Sequence, residues 1–252
     1  MRIGILIKAT LLLTLAGTPA CAQQSIDTAA SSAAAQPEKS ILFVGNSFTY
    51  YNNSLHSHLR KLLRAANADG LEHAYLRSLT ISGGELPELA AGLQQRLDEQ
   101  RWDVVILQGY SDGPITHGKA ERFRTAARDY VQAIRASGAE PVFFMTWAYT
   151  DMPEMTARLD AAYSGIGSEL GAQVVPVGRA FARALSQRPE LALIIDDKKH
   201  PTLAGTYLAA CSFYAALYGV SPVGLSYTAG LGDDAIFLQQ VAWDTWVDYE
   251  DR

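Results

Sequence analysis

From about residue 40 onward, short apolar runs alternate with longer stretches of helical spacing, and this limits the chain's folds more than any other feature. Residues 41–44, 104–107, 141–147 and 173–177 read as strands, with a mixed run at 73–81 as a further strand after the first. Helical patterns fall near 54–67, 86–99, 118–137, 153–170 and 201–218. Strands alternating with helices predict βαβ units, hence a mainly parallel sheet of five strands with helices on both faces. The runs at 104–107 and 141–147 are continuously apolar, as befits strands covered on both sides. With 252 residues and 48% hydrophobic content, the chain has enough material for one sizeable core. Near 201–218, Leu203, Tyr207, Cys211, Tyr214 and Tyr218 recur at helical spacing, predicting a core helix with Pro201 in its first turn.

In such a sheet every strand delivers its following loop to one edge, where open α/β sheets hold ligands. The first strand ends in Gly45-Asn46-Ser47, which puts a hydroxyl at that edge. The second is followed by Ser82-Gly83-Gly84-Glu85, the third by Gln108-Gly109-Tyr110-Ser111-Asp112 and the fourth by Trp147-Ala148-Tyr149-Thr150-Asp151. Before the helix at 201–218 stands Asp197-Lys198-Lys199-His200, an imidazole with a carboxylate three residues earlier. Serine is a poor nucleophile until an imidazole takes its proton, and that imidazole needs its other nitrogen fixed. Ser47, His200 and Asp197 supply the three groups; Asp196, one residue off, does not match the spacing. His56, His58, His73 and His117 read as surface or capping residues, and no His/Cys cluster has metal-ligand spacing. Attack on an ester creates an oxyanion that needs donors fixed in advance. Gly83 suits a backbone donor because it allows close approach, with Gly84 as the alternative.

Gly45-Asn46-Ser47 with Phe48-Thr49, the later Ile81-Ser82-Gly83 and Asp197-x-x-His200 together resemble the SGNH (GDSL-like) hydrolases over most of the chain after residue 40. The resemblance implies a single flavodoxin-like three-layer α/β/α domain, a serine esterase activity and no cofactor. Two departures stand out. Asn46 replaces the usual aspartate of the first block, and no Gly-x-Asn-Asp block is present. Gln108-Gly109 stands in its place and resembles carbohydrate-acetylesterase branches, which assigns Gln108 an oxyanion role; the alternative is that its amide satisfies loop backbone. Trp147 either stacks on a sugar ring, borders an acyl pocket or completes the core. The expected substrates are small acyl esters, acetyl esters of carbohydrate among them. An O-acyltransferase with the same triad and a non-catalytic glycan-binding module are the alternatives.

The N-terminus reads as an export signal. Arg2 and Lys8 precede an apolar centre at 11–16, and Ala20-Cys21-Ala22 fits a small-residue cleavage site. That gives a signal peptide over 1–22, a flexible linker rich in Ala, Ser and Gln over 23–39, and one domain over 40–252. The apolar run is too short to span a bilayer. The expected location is secreted or periplasmic. Lipid anchoring through Cys21 is the alternative, with Thr18 where that signal favours leucine. A net charge of -5 gives no electrostatic case for nucleic acid.

Overall fold

The computed structural model describes residues 39–66 and 75–251. The predicted signal peptide and most of the linker, with Cys21, lie outside the described residues, as does His73. The elements in chain order are β1 (Ile41–Gly45), α1 (Ser47–Tyr50), α2 (Leu55–Ala66), β2 (Leu76–Thr80), α3 (Ala90–Glu99), β3 (Val104–Leu107), α4 (Lys119–Ala136), β4 (Glu140–Phe144), α5 (Met155–Leu170), β5 (Gln173–Val175), α6 (Val177–Gln187), α7 (Leu203–Tyr218) and α8 (Asp233–Glu250).

The five strands form one parallel sheet in the order β2-β1-β3-β4-β5. The fold is therefore the expected three-layer α/β/α arrangement, in the flavodoxin-like order. β1 is an inner strand: Ile41 pairs with Leu76 on one side and Val104 on the other. All five of its residues are buried, which is why its sequence is apolar without alternation. β4 shows how the two faces are filled. Phe143 meets Phe123 of α4 on one face, while Phe144 packs edge-on against Phe213 of α7 on the other, with ring centroids 5.1 Å apart. Phe213 also packs on Phe43 of β1, so α7 lies across the sheet. α7 carries apolar or small residues all round and is buried along almost its whole length, with α2, α6 and α8 against it.

Two details differ from the sequence reading. Pro201 is not in the first turn of α7; Thr202 caps that helix by accepting a hydrogen bond from Gly205 N–H at 3.2 Å, and Pro201 bridges back to Ile194. Two further helices, α6 and α8, lie outside the helical patterns read from the sequence.

The chain runs from β1 outward to β2, then crosses β1 to reach β3 and continues the other way. That reversal opens a crevice beyond the carboxyl ends of β1 and β3.

Candidate active site

Ser47 is the residue after the β1 turn and the first of α1. Asn46 caps that short helix by accepting from Phe48 N–H at 3.2 Å. Gly45 is required here: a Cβ on it would sit 2.4 Å from Gln108 Oε1. Among the described residues no protein acceptor takes the Ser47 N–H, as expected at the start of a helix.

The 195–200 loop brings the other two groups. Ile195 N–H donates to His200 O at 2.9 Å, closing a tight turn with Lys198 at φ 69°. Asp197 Oδ1 accepts the Lys199 and His200 N–H groups, both at 2.9 Å, which aims Oδ2 at the ring. Oδ2 lies 2.5 Å from His200 Nδ1, and His200 Nε2 lies 2.8 Å from Ser47 Oγ. Ser47, His200 and Asp197 thus form one continuous line of hydrogen bonds across 153 residues of chain. Burial works against the charge on Asp197, but hydrogen bonds from the His200 ring and from two backbone N–H groups outweigh it and hold the carboxyl at about 2. A carboxylate there fixes the neutral imidazole with its proton on Nδ1, leaving Nε2 free to accept from the serine.

Ser47 and His200 open onto a cleft of about 220 Å³ also lined by Tyr51, Gly83, Tyr110 and Lys199, among others. Gly83 has φ 65°, and its N–H has no protein acceptor among the described residues. Asn46 also lines the cleft. Its Nδ2 donates to Gly84 O at 3.0 Å with one of two hydrogens, which ties the β1 and β2 loops together.

Two expected site residues stand elsewhere. Gln108 is 1% exposed and does not line the cleft. Its Oε1 accepts from Asn46 N–H at 3.1 Å and Thr49 Oγ1 at 2.8 Å, and its Nε2 donates to Asn46 Oδ1 at 2.8 Å and Gly109 O at 2.7 Å. The Asn46 N–H must face an oxygen, so the amide cannot be turned round, and both its hydrogens are used inside the protein. The oxyanion role expected of it gives way to the alternative: a buried amide that braces the loop carrying Ser47. Trp147 is likewise not a sugar platform. It is 1% exposed, sandwiched between Phe48 and Phe181 with ring centroids at 4.2 and 4.3 Å. Its Nε1 donates to Lys199 O at 2.9 Å, so it holds the loop that carries His200. Thr150 N–H to Lys198 O at 3.0 Å and the Lys198–Asp151 ion pair add two further ties from the loop after β4.

Among the other histidines, His58 is buried, where a surface or capping role was expected: Nε2 donates to Asn52 O and Nδ1 accepts from the Tyr227 hydroxyl. Asn46 is the site residue the sequence reading passed over; its place between glycine and the serine was the available signal.

The flavodoxin-like sheet with a Ser–His–Asp line at its switch point is similar to what the SGNH resemblance implies, and solved structures share the fold. A protein from Slackia heliotrinireducens, provisionally assigned as an SGNH hydrolase, is 26% identical with a TM-score of 0.59, over 72% of this chain and 100% of its own. A DUF4886 family protein from Bacteroides uniformis is 17% identical with a TM-score of 0.63, over 86% and 97%. Axe2, an acetylxylan esterase from Geobacillus stearothermophilus, is 18% identical with a TM-score of 0.57, over 73% and 95%. Its described catalytic mutants replace a serine, an aspartate and a histidine, the last two three positions apart. No family model and no curated protein sequence matches the chain.

Proposed function

We propose that this protein is a serine ester hydrolase of SGNH type acting on small acyl esters, with acetyl groups on carbohydrate as the substrate class. The observation that carries the reading is the 2.8 Å contact between Ser47 Oγ and His200 Nε2, continued at 2.5 Å to Asp197. The matching spacing of the aspartate and histidine in the Axe2 catalytic mutants supports it. In this mechanism His200 takes the Ser47 proton as Oγ attacks the acyl carbonyl. Asp197 holds the ring and stabilises the imidazolium that forms. The oxyanion is received by the Ser47 N–H, the Gly83 N–H and the second amide hydrogen of Asn46. His200 then protonates the leaving alcohol. Water, activated by the same imidazole, releases the acid. A cleft of about 220 Å³ favours a small acyl group. Export of the chain, with cleavage after Ala22, would place it where glycan esters are found.

The test is hydrolysis of p-nitrophenyl acetate and of acetylated xylo-oligosaccharide by the wild type, Ser47→Ala, His200→Ala and the double variant. Each single variant should lose roughly 10⁴- to 10⁶-fold in kcat, and the double variant should be little worse than either, because the groups act as one unit. A Ser47→Ala protein with near-normal turnover would refute the reading, as would losses that multiply.

A further inference from the structure

The chain leaving α1 carries three consecutive non-glycine residues in the left-handed region: Asn52 (φ 49°), Asn53 (φ 73°) and Ser54 (φ 71°). L-residues avoid this region because Cβ crowds the carbonyl oxygen, and such residues persist only where their surroundings over-determine them. The surroundings here do so. Ser54 N–H donates to Tyr50 O at 3.1 Å and Tyr51 O at 3.0 Å. His58 Nε2 donates to Asn52 O at 2.7 Å, and its Nδ1 accepts from Tyr227 at 2.8 Å. Burial lowers the pKa of His58, which favours the neutral ring this pairing needs.

What the strained turn delivers is two side chains, one to His200 and one to the residue after it. The Tyr51 ring lies flat on the His200 imidazole, with centroids 4.3 Å apart and planes 6° apart. Asn52 Nδ2 donates to Pro201 O at 2.9 Å and to the buried Thr206 Oγ1 at 2.8 Å. One grips the ring and the other the backbone that follows it.

We propose that Tyr51 and Asn52 are positioning residues for His200, and that the left-handed turn is retained in order to present them. This rests on the reading of Ser47 and His200 as nucleophile and base. The stacked tyrosine covers one face of the imidazole, while Phe48 meets the ring edge-on at 5.8 Å. Between them the ring is kept in the line that joins Ser47 to Asp197. When His200 takes the serine proton it becomes a cation over the Tyr51 π-face, an attraction stronger than that of the neutral ring. Tyr51 therefore stabilises the transition state more than the ground state, and its contribution belongs in kcat. Asn52 acts through the Pro201 carbonyl, by fixing the chain that carries the ring.

Steady-state kinetics on p-nitrophenyl acetate, with thermal melts of every variant, test this. Tyr51→Leu should lower kcat roughly 5- to 30-fold and leave KM within about two-fold, and Tyr51→Phe should restore kcat. Asn52→Gly accepts the positive φ without strain but has no amide, so it should melt no lower than Asn52→Ala and still lose kcat, by roughly 10-fold. The His200 ring protons of the resting enzyme should be shifted upfield in NMR spectra, and Tyr51→Leu should remove that shift. Folded Tyr51→Leu and Asn52→Gly proteins with wild-type kcat would overturn the proposal, as would a loss confined to KM. Should Tyr51→Leu fail to fold, Asn52→Gly and the wild-type ring-proton shift decide. Ser47→Ala in the same assay keeps the outcomes apart. Activity there refutes the hydrolase itself, whereas an inactive Ser47→Ala beside an unimpaired Tyr51→Leu removes only the positioning claim.

Discussion

A methyl group at Gly45 would meet Gln108 Oε1 at 2.4 Å and Thr49 Oγ1 at 2.8 Å, so the loop carrying Ser47 closes only because these three positions fit one another. Gln108 pairs the Asn46 N–H and the Thr49 hydroxyl of that loop, and both would be left buried and unpaired without it. Gln108→Ala should therefore cost about 2–4 kcal/mol of stability and lower Tm by roughly 5–15 °C. Asn46→Asp keeps the helix cap but loses the amide donor; it should retain most of the stability and lower kcat roughly 10²- to 10³-fold. Melting curves and kinetics on the two variants separate brace from donor, and the reverse pattern would return Gln108 to the oxyanion. Asp197 gives a pH signature. Its folded pKa of about 2 lies below the ordinary aspartate value of 3.8, so its contribution to stability is present above pH about 4 and fades as pH falls towards 2. Its side chain is 41% exposed, so that contribution is small. Denaturation of Asp197→Asn should show a flatter stability profile across that window, and activity lost between pH 7 and 4 should not come from protonation of Asp197.

Between elements, the Phe48–Trp147–Phe181 stack joins α1, the loop after β4 and α6, and the indole N–H fastens the 195–200 loop to all three. Trp147→Ala removes a fully buried ring and should cost about 3–5 kcal/mol. Trp147→Phe keeps aromatic area but not the donor, and should cost less stability while still lowering kcat by loosening His200. Chemical denaturation beside kinetics checks both. How much of this could be read from the sequence varies by element. β1, β3 and β4 were legible because strands buried on both faces have no option but a continuous apolar run. α6 escaped although Val177, Ala180, Phe181 and Ala184 recur at helical spacing, because it starts two residues after the short β5. That Ser47, Asp197 and His200 could meet was legible because the sequence puts a hydroxyl at a strand end and a carboxylate three residues before an imidazole. Gln108 was placed in the right loop but given the wrong direction, and of the three readings left open for Trp147 the core one is what the packing bears out. Sequence locates a residue at a strand end; whether its side chain points into the cleft or behind it depends on packing from distant segments, here Asn46 and Thr49 for one and Phe181 for the other.

For the whole molecule, the order β2-β1-β3-β4-β5 is what converts two remote segments into one site. The first strand is an inner strand between β2 and β3, its loop opens at the switch point, and the segment before α7 returns His200 to it. That α7 lies across β1 and β4, through Phe213, makes the return rigid. No described helix is long and apolar enough to cross a membrane. The central claim is that this geometry makes Ser47 a nucleophile that carries an acyl group. The most direct test is to quench the protein during turnover of p-nitrophenyl acetate, or after reaction with an activated alkylphosphonate, and to map the adduct by peptide mass spectrometry. The account predicts one modified residue, Ser47, with labelling greatly slowed in His200→Ala and absent in Ser47→Ala. A hydrolytically active protein whose label falls on another residue, or whose Ser47→Ala variant is labelled as fast as the wild type, would contradict it.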